Sequence, residues 1–464
     1  MKNYIGFFTG LLICCYAIST FNSGCAQIGV PTGGPRDTLP PVLIKAIPEQ
    51  ETLNFKGNKI SLNFDEYIDV QDLQNNLLIS PVQKNSPVVL YNLKNVTVKF
   101  KDSLLPNTTY SINFGNAIRD INESNIFQNF TYLFSTGNTI DSLSFSGKVF
   151  LAETGKTDTT IIAMLYSNAD DSTVIKRKPN YIAKVKSDGS FIFENLPADK
   201  FKVYALKDGD GGKTYNSKTE VFAFTDTIIS VSENTPAVTL YASALEKEVP
   251  KTSAGIAKKP VIEKKLRYTN NLDQKTQSLL QPLQLSFNNS LKLVDTQKII
   301  ITDTNYVPLT NAKISLDSTA KIISVSVPWQ PESNYILLLP KEALTDSSGN
   351  TIFKTDTLKF ITKKTEDYGK VILRFKNLDI SKHPVLQFVE NENIKYSYPL
   401  TGAEWSNKLF QPGQFEIRIL YDTNQNGIWD PGDYDKKLQP ERVITLPEKI
   451  TIKADWDNER DIKL

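Results

Sequence analysis

From Pro40 onward, apolar and polar residues alternate with a period of two. Ile60, Leu62 and Phe64 take turns with polar neighbours. So do Val96, Val98 and Phe100, then Tyr110, Ile112 and Phe114, then Phe130, Tyr132 and Phe134. Successive side chains of a strand point to opposite faces, so each set lays its apolar members on one face and leaves the other wet. Lys56-Gly57-Asn58 and Leu105-Pro106-Asn107 break the runs with turn residues. The pattern predicts one β-sandwich over residues 40–137.

A second β-rich stretch, 143–245, carries Gly147-Lys148-Val149-Phe150, the run Ile161–Tyr166, Gly189-Ser190-Phe191-Ile192-Phe193 and Phe201-Lys202-Val203-Tyr204. Residues 246–265 then lose the pattern. They are charged, contain proline and are poor in large apolar residues, which predicts an exposed linker. Beyond it the first half recurs. Leu283–Phe287 matches Ile60–Phe64, Ser333-Asn334-Tyr335 matches Thr108-Thr109-Tyr110, and Leu358-Lys359-Phe360 matches Tyr132-Leu133-Phe134, all displaced by about 225 residues. Phe415–Asp422 likewise matches Phe201–Asp208. The expected organisation is all-β, with tandem sandwiches at 40–137, 143–245, 266–364 and 365–464. The first and third are expected to be immunoglobulin-like, without an inter-sheet disulfide.

The beginning of the chain is patterned differently. Lys2 precedes an apolar run from Ile5 to about Ile18, and Ser23-Gly24 stand before Cys25. That is the layout of a secretory signal over residues 1–24, too short for a stable membrane span. The remaining cysteines, Cys14 and Cys15, fall inside this segment, so the folded part has no thiol for disulfides or thiolate metal sites. Ser23-Gly24-Cys25 resembles the lipobox of bacterial lipoproteins, although Asn22 stands where that pattern prefers an aliphatic residue. The resemblance implies acylation of Cys25 and a membrane anchor. Residues 25–39, rich in chain breakers, are expected to be a flexible leader.

Composition removes several classes of function. Lysine plus arginine number 53 against 51 acidic residues, so no basic field exists for nucleic acid. No stretch after the signal approaches the roughly 18 consecutive apolar residues of a membrane span. His383 is the one histidine and no second imidazole or thiol accompanies it, which excludes zinc and a Ser-His triad.

The Gly-x-Phe strand, the Pro197 bend and the Tyr204-Ala205-Leu206 strand resemble the prealbumin-like or carboxypeptidase-regulatory-like domain. Asp37–Val42, the Lys59–Phe64 strand, the acidic turn Asp65-Glu66-Tyr67-Ile68 and Leu105–Tyr110 are similar to the bacterial Ig-like domain named after the SbsA surface-layer protein, as found in lipoproteins of Bacteroidota. That resemblance implies a structural or adhesive envelope module without catalytic residues. The later copy has Asn288-Asn289 in place of Asp65-Glu66.

The sharpest local motif runs from Asp422 to Asp433. Counting Asp422 as position 1, side-chain oxygens fall at Asn424, Asn426, Asp430 and Asp433, Gly427 occupies the bend, and Ile428 supplies only its carbonyl. This is the oxygen spacing of a calcium loop, here after a strand. A polar hairpin loop that uses Asn and Asp only for turns is the competing reading. The related stretch Asp208–Lys213 puts Lys213 where a cation would be repelled. Asp65, Glu66, Asp69 and Asp72 read as a solvated turn. Trp405, Tyr421, Trp429 and Trp456 could pack into a core or form an aromatic platform for a glycan.

The sequence thus points to a non-catalytic envelope lipoprotein, a structural or protein-binding scaffold. It would be anchored through Cys25 to the outer membrane, with the periplasmic face favoured because Ala26-Gln27-Ile28-Gly29 carries no acidic stretch. No cofactor is expected apart from calcium. A carbohydrate- or surface-binding protein, and an enzyme with a cryptic carboxylate site, are the alternatives.

Overall fold

The computed structural model describes residues 36–128, 130–167, 170–247 and 265–464. The expected signal segment, Cys25 and most of the expected leader and linker lie outside these residues. Strands make up nearly all the regular structure, and no described helix is long and apolar enough to cross a membrane.

The chain divides into two compact units. The first reaches Ile79 and then spans Gln83–Ile140. One of its sheets orders Leu43–Ile47, Lys59–Phe64, Asn95–Lys99 and Val88–Asn92, all antiparallel. The facing sheet is built on Thr109–Asn113 paired with Thr131–Ser135. Every residue of the first three alternating sets is buried between them, and so are Tyr132 and Phe134. Tyr110 and Phe134 stack with ring centroids 5.0 Å apart. Burying a large apolar side chain of this kind contributes roughly 1.5–3 kcal/mol. That transfer energy selects the register, because a one-residue slip would turn the whole set to solvent.

The second unit contains Ser80–Val82 and Asp141–Leu464. Its first sandwich packs a sheet ordered Ser190–Leu196, Leu143–Leu151, Val238–Ala242 against one ordered Tyr181–Lys184, Ile162–Ser167, Lys200–Leu206, Phe222–Phe224. Its last sandwich repeats that plan, with Glu404–Phe410, Gly369–Lys376, Asp457–Lys463 facing Asn393–Pro399, Pro384–Glu390, Gly413–Tyr421, Arg442–Thr445. In both, the third strand of the smaller sheet runs parallel to its neighbour. Between them in sequence lies a sandwich with Tyr268–Asn270, Leu283–Phe287, Ile322–Ser326 and Lys313–Leu316 in one sheet and Asp356–Thr362 beside Asn334–Leu339 in the other. Each sandwich has its own apolar core.

Hydrogen bonds at the corners of the 40–137 and 266–364 sandwiches recur at the displacement seen in the sequence. The Tyr110 hydroxyl accepts from the backbone N–H of Leu105 at 2.8 Å, and the Tyr335 hydroxyl from that of Gln330 at 3.2 Å. Thr136 Oγ1 donates to the Leu105 carbonyl at 2.6 Å, and Thr362 Oγ1 to the Gln330 carbonyl at 2.5 Å. Each bond fixes a bend that would otherwise leave backbone groups unpaired beneath a buried ring.

Candidate functional site

The Gly413–Tyr421 strand carries the chain to Asp422, and the Arg442–Thr445 strand returns antiparallel beside it. Residues 422–441 are therefore one long connection between paired strands. Asp422 is only 2% exposed. Its Oδ1 accepts from the backbone N–H of Asn426 at 3.2 Å, and its Oδ2 from that of Gly427 at 2.7 Å. Gly427 has φ +78°, a conformation that costs glycine nothing and a residue with Cβ considerably more. The side-chain amides of Asn424 and Asn426 donate to the same Asp430 oxygen, at 2.6 and 2.7 Å. The Ile428 side chain points into solvent. Asp422, Asn424, Asn426 and Asp430 are thus drawn into one coil around Gly427.

Asp433 does not join that coil. Its Oδ1 accepts from the backbone N–H groups of Asp435 and Lys436, at 3.1 and 3.3 Å, and its Oδ2 pairs with the Lys436 ammonium at 2.9 Å. The Lys436 bond holds the Asp433 carboxyl below the usual aspartate range. The backbone of Asp433 is held in its own turn by hydrogen bonds with Leu438 in both directions, each 2.9 Å.

The carboxylate that does meet the loop is Glu441, which the spacing pattern had not singled out. It is 6% exposed. Its Oε1 accepts from the backbone N–H and hydroxyl of Thr423, at 2.7 and 2.8 Å, and its Oε2 from the backbone N–H of Asp430 at 3.2 Å. The Trp429 indole donates to the Glu441 carbonyl at 2.8 Å. Among the described residues no ion pair reaches Asp422, Asp430 or Glu441. Nor do three His, Cys, Asp or Glu side chains stand where they alone could hold a metal. A cation here would draw also on Asn424, Asn426 and the Ile428 carbonyl. A half-turn of each Asn amide exchanges its donor for the oxygen acceptor that a hard cation needs.

The other candidates resolve into structure. Asp210 caps its own turn through the Gly212 N–H at 2.7 Å and the Asn216 amide at 2.7 Å, while Asp208 accepts from the Lys213 N–H at 3.2 Å. Asp65 accepts from the Val42 N–H at 2.8 Å, Asp69 from the Val70 N–H at 2.9 Å, and Asp72 from the Asn75 amide at 2.8 Å. Glu66 is pushed above the usual carboxylate range, first by burial and then by Asp120, Asp65, Asp37 and Glu123. His383 is exposed, with Gln425 Nε2 3.3 Å from its ring. The aromatic residues do not share a platform. Trp405 packs on Tyr398 and Phe388, Trp429 packs against Val385, Leu420 and Val443, and Trp456 stands 62% exposed beneath the Lys453 ammonium.

Two buried carboxylates escaped the sequence reading. Asp120 and Asp346 are 1% and 0% exposed. Asp120 accepts from the backbone N–H groups of Glu123, Ser124 and Asn125, at 2.6, 2.9 and 2.8 Å. Asp346 accepts from the N–H groups of Ser348 and Asn350, at 2.9 and 2.7 Å, and from the side-chain amides of Asn289 and Asn350, at 2.7 and 3.0 Å. The repeat displacement of about 225 residues relates the two, and following it along the chain would have found them.

A model of the bacterial Ig-like domain family matches residues 37–136. No curated protein matches the chain. Several solved structures are similar at low identity. Native alpha-2-macroglobulin from Escherichia coli, domains MG0-NIE-MG1, is 14% identical over 40% of this chain and 72% of that one, with TM-score 0.20. BcpA, the major pilin subunit of Bacillus cereus, is 10% identical over 70% of this chain and 99% of that one, with TM-score 0.17. The N-terminal part of the bacterial S-layer protein SbsC is 15% identical over 44% of each chain, with TM-score 0.16. The alternating strands, the corner bonds and the family match agree: residues 37–136 match the bacterial Ig-like domain family, within an all-β protein of tandem β-sandwich modules.

Proposed function

We propose that this chain is a non-catalytic, lipid-anchored envelope protein that acts as a structural or protein-binding scaffold. The observation that carries the reading is the bacterial Ig-like domain set in a chain whose polar clusters are occupied in shaping turns. Cys25, after its signal segment, supplies the anchor, and the periplasmic face of the outer membrane is the location the leader sequence favours. Crosslinking in intact cells tests the scaffold role. It should trap the protein in a discrete adduct with one or a few other envelope proteins, and a ladder no different from that of an unrelated lipoprotein of equal abundance would refute it.

The loop at Asp422–Asp430 serves this scaffold as a calcium clip. The support for it is the loop itself, which coils Asp422, Asn424, Asn426 and Asp430 around Gly427 with Glu441 at its edge. Calcium titrated into the protein should change Trp429 fluorescence, because the indole is bonded to Glu441 at the loop's edge. Half-saturation is expected at about 0.1–1 mM, the range of extracellular modules. Asp422→Ala should abolish the change. Constant Trp429 emission up to several millimolar would count against the clip.

A further inference from the structure

The first and last sandwiches of the second unit are far apart in sequence, yet they share a seam. Tyr434, 6% exposed, enters an aromatic nest on the first of them. Its ring centroid lies 5.1 Å from that of Phe224, 5.2 Å from Phe222 and 5.9 Å from Tyr204. Its hydroxyl lies 3.1 Å from that of Tyr204, 230 residues away, and donates to the Asp171 carbonyl at 2.8 Å. The Lys437 ammonium sits 3.6 Å over the Tyr434 ring and pairs with Asp171 at 3.3 Å. Gln439 donates to the Phe224 carbonyl at 3.1 Å and to Asp226 at 2.8 Å, and the Gly432 N–H donates to Ser243 Oγ at 3.0 Å.

A second strip of contacts lies beside the first. The Val443 N–H donates to the Ala152 carbonyl at 3.1 Å, which covers the otherwise free edge of the Arg442–Thr445 strand. The Thr445 hydroxyl bonds the Thr154 carbonyl. The Lys156 ammonium pairs at 2.9 Å with Glu416, which also binds the 5% exposed Arg418 at 2.7 Å. Gly155 makes this approach possible. Its φ is +65°, and a Cβ there would stand 2.5 Å from the Val443 carbonyl oxygen and 3.0 Å from the Thr445 nitrogen.

We infer that Gly432–Thr445 is a latch that locks the 143–245 and 365–464 sandwiches into one body, independent of the covalent chain between them. The interaction surface is the Tyr204, Phe222 and Phe224 nest with the Ala152–Lys156 turn, and its partner is the chain's own last sandwich. The intervening Ig-like sandwich then hangs on a loop of chain closed by this seam. Tension between the first sandwich of this unit and the end of the chain passes across the seam and spares it.

The test uses the full chain with a protease site replacing residues 254–260, cut after folding. The two pieces should co-elute at the mass of one uncut chain when diluted to low micromolar concentration. Tyr434→Ala, which removes a buried aromatic anchor, should weaken their association at least about thirty-fold, so that the pieces separate. Gly155→Val attacks the opposite side of the seam and should do the same while leaving the Tyr434 nest intact. Separation of the unsubstituted pieces at that dilution would overturn the latch. So would co-elution at twice the mass, which means exchange of the segment between two chains, or variant pieces as firmly joined as the unsubstituted ones.

Discussion

Asp346→Ala lowers the melting temperature of its sandwich by more than about 10 °C. The Asp346 carboxylate is fully buried and gathers four hydrogen bonds from Ser348, Asn350 and Asn289. Alanine would leave those donors facing a space that water cannot fill freely. Hydrogen bonds to a charged group contribute about 1.5–3 kcal/mol each but do not add fully, so a loss of about 3 kcal/mol is expected. For a sandwich of this size each kcal/mol moves the midpoint by about 4–8 °C. Asp346→Asn keeps one acceptor oxygen and should recover part of the loss. Scanning calorimetry of both variants checks this, and an unchanged midpoint in Asp346→Ala would show that the loop holds without its carboxylate. Asp120→Ala should act in the same way on the first unit.

The same residues set an acid limit on stability. Burial alone would raise the Asp346 pKa, but the bonds from Asn350, Asn289 and Ser348 outweigh it and hold the carboxyl below the usual aspartate range. Burial likewise opposes ionisation of Asp120, and the N–H groups of Glu123, Asn125, Ser124 and Asn122 outweigh it. A depressed folded pKa means that the unfolded chain binds protons first as pH falls. The stabilisation is therefore complete above the unfolded aspartate value of about 3.9 and is lost as pH drops through the folded value. In the Asp346→Ala variant that part of the acid sensitivity should disappear.

Much of the fold was legible because burial and strand period coincide. Ile60, Leu62, Phe64, Val96, Val98, Phe100, Tyr110, Ile112 and Phe114 alternate in the sequence and are all buried in the structure. The strands of the last sandwich were harder to read, since Pro384–Val389 is buried on both faces and shows no alternation. At the loop, the spacing placed Asp422, Asn424, Asn426 and Asp430 together, because those positions are bound by local hydrogen bonds. The same spacing put Asp433 at the last position and did not reach Glu441. Where those two carboxylates stand depends on a turn at 433–438 and on the return of the Arg442–Thr445 strand. Tyr434 and Gly155 carried no signal at all, since a seam between sequence-distant sandwiches has no period of its own.

A single acyl chain gives only marginal membrane binding, with an association constant of about 10⁴ M⁻¹, whereas a second chain adds about 0.8 kcal/mol for every buried methylene and makes attachment stable. No cysteine follows Cys25 in the chain, so no later thiol can replace it. Cys25→Ser should therefore move the mature protein almost completely from the membrane pellet to the soluble fraction, with any uncut precursor distinguished by its mass. The most direct single measurement is the intact mass of the unsubstituted protein extracted from membranes by detergent. A chain that begins at Cys25 and carries two or three acyl groups is the predicted result, and a mature chain with an unmodified Cys25, or one cut at another residue, would contradict it.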